Sequence, residues 1–284
     1  MEITRVAVIG AGTMGAGITQ VIAQSGVPVT LIDRDSEILT SATNRISAQL
    51  DRAVQRERMT RDEADVALSV IDTDTSIEGA SDANLAIEAV PENFDLKADI
   101  FRQLDRACNS TAILSSNTSS ISITRLGSQT KRPELVVGLH FFNPVPRMSL
   151  VEVVSGGRTG DIVVDTVSDF ARALGKTPVT VQDFPGFVSN RVLIPMINEA
   201  IFTLHEGVAG IEEIDTVMKL GMNHPMGPLE LADMIGLDVC LDILEVLHSE
   251  MGDQKYRPCP LLRQMVAAGK LGQKSGEGFY SYED

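Results

Sequence analysis

At 284 residues, with 43 % hydrophobic and 22 % charged side chains, the chain is long enough for two cores and too balanced for a disordered or fibrous protein. A formal charge of −15 excludes nucleic acid as a partner, and no apolar run reaches the roughly 18 residues of a membrane span. The three scattered cysteines, Cys108, Cys240 and Cys259, form no disulfide framework or thiolate metal site, so no metal and a reducing, cytoplasmic setting are expected.

The chain opens without a secretory leader pattern and enters a β-branched run, Val6–Ile9. Gly10, Gly12 and Gly15 follow in G-x-G-x-x-G spacing, with Thr13 and Met14 inside the motif and a helical pattern, Ile18, Val21 and Ile22, behind it. Gly10 permits the tight turn, Gly12 lets backbone approach a pyrophosphate, and Gly15 allows close helix–strand packing above free helix N-terminal amides. A second strand, Val29–Ile32, ends at Asp33, whose carboxylate suits the ribose hydroxyls of NAD and repels the 2′-phosphate of NADP. Arg34 beside it partly offsets that repulsion, and FAD is the other ligand class for the fingerprint.

From Asp35 to Leu68 apolar residues recur at helical spacing (Ile38, Leu39, Ile46, Leu50), which predicts a helical hairpin longer than an ordinary crossover. Strands are then predicted at Leu85–Ala89, Ala112–Leu114 and Val136–Leu139, giving a mainly parallel sheet of Rossmann type. His140 falls where the last of these ends, on the ligand side of a parallel sheet, and imidazole suits proton transfer at neutral pH. Two further strands, Ser149–Val154 and Thr177–Val181, flank a helix over Asp161–Ala173. A return through Asn143–Arg147 would bring Glu152, twelve positions on, beside His140, fixing its tautomer and stabilising the imidazolium.

After Asp183 the pattern changes class: apolar positions from Val188 to Leu247 follow helical spacing. The reading is thus α/β, a dinucleotide-binding domain over 1–183 followed by an all-α substrate and dimerisation domain over 184–284, packed to form a cleft.

Eight ordered segments carry a resemblance to a known family: Val8–Ile18, Glu88–Asn93, Ser115–Ile121, Gly138–Val145, Leu150–Val154, Pro185–Arg191, His224–Asp233 and Gly276–Tyr280. Together they span nearly the whole chain, which resembles the 3-hydroxyacyl-CoA dehydrogenases, especially the short bacterial 3-hydroxybutyryl-CoA members. The resemblance implies reversible oxidation of (S)-3-hydroxyacyl-CoA to 3-oxoacyl-CoA with NAD, His140 acting as base and Glu152 as its partner. It also implies catalytic-site positions for Ser119 and Asn190, whose hydroxyl and amide can hydrogen-bond the reacting oxygen, with Asn190 brought in by domain closure. Asn143 is a further contact near His140; Glu92 and Lys97 lie near the cofactor, and Asn117 beside the nicotinamide. On the hairpin, Arg52 and Arg56 would face the CoA phosphates. A homodimer through the helical domain is likewise implied. The rivals are a hydroxyacid or sugar-acid dehydrogenase without a CoA subsite and, from another class, a non-catalytic NAD-binding protein.

Overall fold

The computed structural model describes residues 2–282 and divides the chain into two compact units, Met1–Asp183 and Phe184–Asp284. The first unit begins with β1 (Val6–Ile9), α1 (Thr13–Gln24) and β2 (Val29–Ile32), both strands wholly buried. The hairpin follows as α2 (Ser36–Gln55) and α3 (Arg61–Ser69), capped by Asp35 on the Glu37 amide and by a reciprocal Thr60–Glu63 capping box. Its inner face, Leu39, Ala42, Ile46, Leu50, Ala64 and Ala67, joins the same hydrophobic cluster as the sheet strands. The hairpin therefore serves as the crossover to β3 (Ile71–Asp74), a strand not predicted from the sequence because its Ile-Asp-Thr-Asp run is short, half acidic and only partly buried.

Next come β4 (Leu85–Glu88), α4 (Phe94–Ala107), β5 (Ile113–Ser116), α5 (Ile123–Gly127), β6 (Val136–Phe141), β7 (Leu150–Ser155), α6 (Asp161–Ala173) and β8 (Thr177–Gln182). The eight strands form one sheet in the order β3-β2-β1-β4-β5-β6-β7-β8. β3 through β6 of that order are parallel; β7 pairs antiparallel with β6 and parallel with β8. The direction of winding reverses between β1 and β4, and the crevice outside the carboxyl ends at such a point is where dinucleotides bind. The α/β expectation with a Rossmann-type, mainly parallel sheet is met.

The second unit is helical: α7 (Ser189–His205), α8 (Ile211–Thr216), α9 (Pro228–Ile235), α10 (Leu237–Met251) and α11 (Pro260–Ala267). Its core gathers Ile194, Ile197, Ile201, Leu229, Leu244 and Leu262 among others. Two buried carboxylates tie its end down. Asp233 accepts from the Phe279 and Tyr280 amides at 2.9 Å each, and Asp215 accepts from the Leu229 and Glu230 amides and the Tyr280 hydroxyl, also at 2.9 Å. Two of the segments singled out in the sequence, His224–Asp233 and Gly276–Tyr280, are thus stitched to each other.

Candidate active site

The glycine turn is shaped by close backbone approach. Gly10 has φ +102°, and a Cβ there would lie 2.8 Å from the Ala89 carbonyl oxygen; at Gly15 it would lie 1.7 Å from the Gly10 oxygen. A Cβ at Gly12, by contrast, would meet nothing within 4 Å. Thr13 and Met14 open α1, whose N-terminus has no side-chain cap, so its first amides point at whatever anion arrives. Asp33 stands beside this turn, accepting from the Ala11 amide at 2.8 Å, while Arg45 of α2 donates to the Ala11 carbonyl at 3.1 Å.

Along the same carboxyl edge, Glu88 ends β4 fully buried and Lys97 of α4 lies against it at 2.7 Å, itself 1 % exposed. Glu92, in the turn between them, accepts from the Ser119 and Ser120 amides at 3.1 Å each and from the Thr118 and Ser120 hydroxyls. Burial opposes its charge, yet the Lys97 ammonium and these donors together hold its pKa below the usual glutamate value. Asn117, just past β5, accepts from the Phe141 amide at 2.8 Å, which draws the end of β5 against the end of β6.

His140 and Glu152 are register partners across the antiparallel β6–β7 pair, and His140 Nδ1 lies 2.8 Å from Glu152 Oε2. Both residues are buried. The imidazole also stacks obliquely on Phe142, ring centroids 4.6 Å apart. His140 sits within β6 rather than beyond it, because pairing with β7 carries the strand on to Phe141. The expected return through Asn143–Arg147 is a tight turn with a cis Asn143–Pro144 peptide, and Lys176 braces it by donating to the Val145 and Met148 carbonyls at 2.6 and 2.8 Å. Asn143 lines a cavity of about 150 Å³ with Thr13, Gln20, Arg45 and Gln49.

An ionised Glu152 can only accept, so Nδ1 carries the hydrogen and Nε2 becomes the basic nitrogen. One buried, oriented imidazole beside a dinucleotide crevice can relay a proton while a cofactor exchanges electrons.

Comparisons with known proteins show the family. The model for the NAD binding domain of 3-hydroxyacyl-CoA dehydrogenase matches residues 5–184, and that for the C-terminal domain of the same enzymes matches residues 186–282. The chain belongs to the 3-hydroxyacyl-CoA dehydrogenase family. It is 52 % identical over 284 residues to a probable 3-hydroxybutyryl-CoA dehydrogenase of Bacillus subtilis, covering 100 % of this chain and 99 % of that protein. A 3-hydroxybutyryl-CoA dehydrogenase of Bradyrhizobium diazoefficiens is 49 % identical over 99 % of this chain and 96 % of its own length. The crystal structure of the (S)-3-hydroxybutyryl-CoA dehydrogenase of Ralstonia eutropha superposes with a TM-score of 0.98 at 47 % identity, over 100 % of both chains.

Of the site residues expected from the sequence pattern and the family resemblance together, the first unit gathers Gly10, Gly12, Thr13, Met14, Gly15, Asp33, Glu92, Lys97, Asn117, Ser119, His140, Asn143 and Glu152 along or beside the carboxyl edge of its sheet. Arg52 and Arg56 lie apart from that edge, exposed at the end of α2. Asn190 belongs to the second unit, in the first turn of α7, its backbone N–H donating to the Gly186 carbonyl at 3.1 Å. Two buried residues of this edge were not singled out in the sequence: Glu88, and Ser116, whose hydroxyl donates to Glu88 at 2.6 Å. Lys97 is buried, and its place on the Ala98, Phe101 and Leu104 stripe of α4 was the available signal.

Proposed function

We propose that the chain oxidises the 3-hydroxyl of (S)-3-hydroxyacyl-CoA thioesters reversibly to the 3-oxo form with NAD, short chains such as 3-hydroxybutyryl-CoA foremost, and that His140 handles the proton. The observation that carries the reading is the 2.8 Å His140–Glu152 pair at the carboxyl edge of a dinucleotide-binding sheet. A pure binder has no use for a base so oriented.

The cofactor site fits a dinucleotide: Gly10 and Gly15 leave no room for a Cβ, Gly12 opens outward, and α1 offers uncapped amides. Gly10, Gly12, Thr13, Met14 and Gly15 would hold the pyrophosphate, and Asp33 the ribose hydroxyls, which disfavours a 2′-phosphate. NAD, when bound, supplies the hydride acceptor for carbon 3. His140 Nε2 takes the hydroxyl proton as the carbinol C–H bond breaks, and the Glu152 carboxylate stabilises the resulting imidazolium. In the reducing direction the same imidazolium returns the proton to the alkoxide oxygen. Ser119 and Asn190 donate hydrogen bonds to that oxygen, which gains negative charge during reduction. Asn117 and Asn143 take places beside the nicotinamide and the thioester, and Arg52 and Arg56 meet the CoA phosphates with paired guanidinium groups.

The second unit leaves Leu220, Val208, Val192 and Met222 more than half exposed, an apolar surface suited to a second copy of the chain. Three buried, unpaired thiols suit the reducing cytoplasm as the place of work. Among the described residues no helix is long and apolar enough to cross a membrane.

Steady-state rates for a series of 3-oxoacyl-CoA thioesters of increasing length, each with NADH and with NADPH, test the reading. Highest kcat/KM for acetoacetyl-CoA with NADH is expected. Equal or faster turnover of the free 3-oxoacids would overturn the CoA assignment.

A further inference from the structure

Ala11, between the first two glycines of the turn, is held on three sides. It is fully buried in the hydrophobic cluster of the first unit. Its N–H donates to Asp33 Oδ2 at 2.8 Å, and its carbonyl accepts from Arg45 Nη2 at 3.1 Å. Arg45 reaches that carbonyl from the middle of α2, 34 positions along the chain. Among the described residues no carboxylate pairs with Arg45, so no ion pair draws it away.

The direction of this carbonyl sets the direction of the amide behind it. The Ala11–Gly12 peptide is trans, and in a trans peptide the C=O and the following N–H point opposite ways. A carbonyl turned toward Arg45 therefore turns the Gly12 N–H away from it. That N–H meets no acceptor among the described residues, and a Cβ at Gly12 would meet nothing within 4 Å. The open side of the turn thus carries a donor next to the uncapped first amides of α1, where an anion is favoured.

A peptide followed by glycine is also the one most able to turn over, because glycine accepts φ of either sign; Gly12 stands at −67°. Turned over, the Ala11–Gly12 plane would offer the anion a carbonyl oxygen in place of a hydrogen. Asp33 holds the preceding peptide, through the Ala11 N–H, and leaves this one to Arg45.

We propose that Arg45 is a positioning residue for the dinucleotide: it latches the Ala11–Gly12 peptide with its N–H toward the cofactor's diphosphate and blocks the turned-over form. The inference rests on the reading of the glycine turn as the NAD site. Arg45 stands on the carbonyl side of the peptide, so it acts through Gly12 and not by pairing with a phosphate.

The test is Arg45→Met in the full chain; the side chain is exposed, so the exchange removes little packing. Kd for NADH, from fluorescence, and for ADP-ribose, which keeps the diphosphate without the nicotinamide, from displacement, should both weaken by about 5- to 30-fold. KM for NADH should rise in step, with kcat and KM for acetoacetyl-CoA moving by no more than about twofold. The deficit should be the same at about 0.05 M and 0.5 M salt; one that screening erases would make Arg45 a charge contact and overturn the latch. An unchanged NADH Kd would overturn it as well. So would a loss seen with NADPH and not with NADH, the mark of a 2′-phosphate contact, or a loss carried by KM for acetoacetyl-CoA, the mark of a CoA contact. Gly12→Asp, whose Cβ has open space, separates the latch from the reading beneath it. Its carboxylate should abolish NADH binding, whereas an unchanged NADH Kd in that variant would remove the NAD site from the turn and the latch with it.

Discussion

His140 and Glu152 face each other because β6 and β7 are antiparallel neighbours in register, so the carboxylate reaches Nδ1 from the adjoining strand with no loop to position it. Glu152→Gln keeps the shape and loses the charge; its amide can donate to Nδ1 and favour the wrong tautomer. We expect kcat to fall by about 10² or more with little change in thermal stability, measured by steady-state assay beside a melting curve. Glu92 gives a pH signature. Its carboxyl titrates below the ordinary glutamate value of about 4.3, so the stability it adds is full above that value and is lost as pH falls through the lower folded one. The stability difference between wild type and Glu92→Gln should therefore shrink as the solution is acidified through that range, and Lys97→Met should move the Glu92 titration, followed by NMR, upward. Lys97→Met alone also leaves Glu88 buried without its partner, a loss of about 3–5 kcal/mol of stability.

At the level of elements, the glycine fingerprint, the strand alternation and the change to helical spacing after Asp183 were legible because each is a local pattern with a backbone cause. The β3 edge strand was not, since its Ile71–Asp74 run shows neither alternation nor an apolar stretch, and it is fixed only by pairing with β2. His140 and Glu152 were legible as a pair through the short return between their strands. The Glu88–Lys97–Glu92 group was not, because the contact between β4 and α4 is set by packing of the Phe101 and Leu104 face rather than by any spacing of charges. The clasp at the end of the second unit is likewise tertiary: segments 46 and 47 positions apart meet at Asp233. Asp233→Ala leaves the Phe279 and Tyr280 amides without their acceptor, at about 1–3 kcal/mol for each buried donor. Urea unfolding should register a loss of that order, whereas Asp233→Asn, which keeps one acceptor oxygen, should lose less.

For the molecule as a whole, the winding reversal between β1 and β4 and the His140–Glu152 pair two strands further along lie on one edge of the first unit, which is where the proposed proton relay would meet the dinucleotide. The apolar surface of the second unit is expected to be covered by a second copy, so sedimentation equilibrium should return twice the chain's 30.6 kDa, and Leu220→Lys, at a residue 83 % exposed, should shift that mass toward the single chain. Most direct for the proton relay itself is a single-turnover measurement of NADH consumption on mixing with acetoacetyl-CoA, wild type against His140→Ala. The expected result is a rate lower by about 10²–10⁴ with NADH affinity nearly unchanged. A rate within about threefold of wild type would contradict the assignment of the proton to His140.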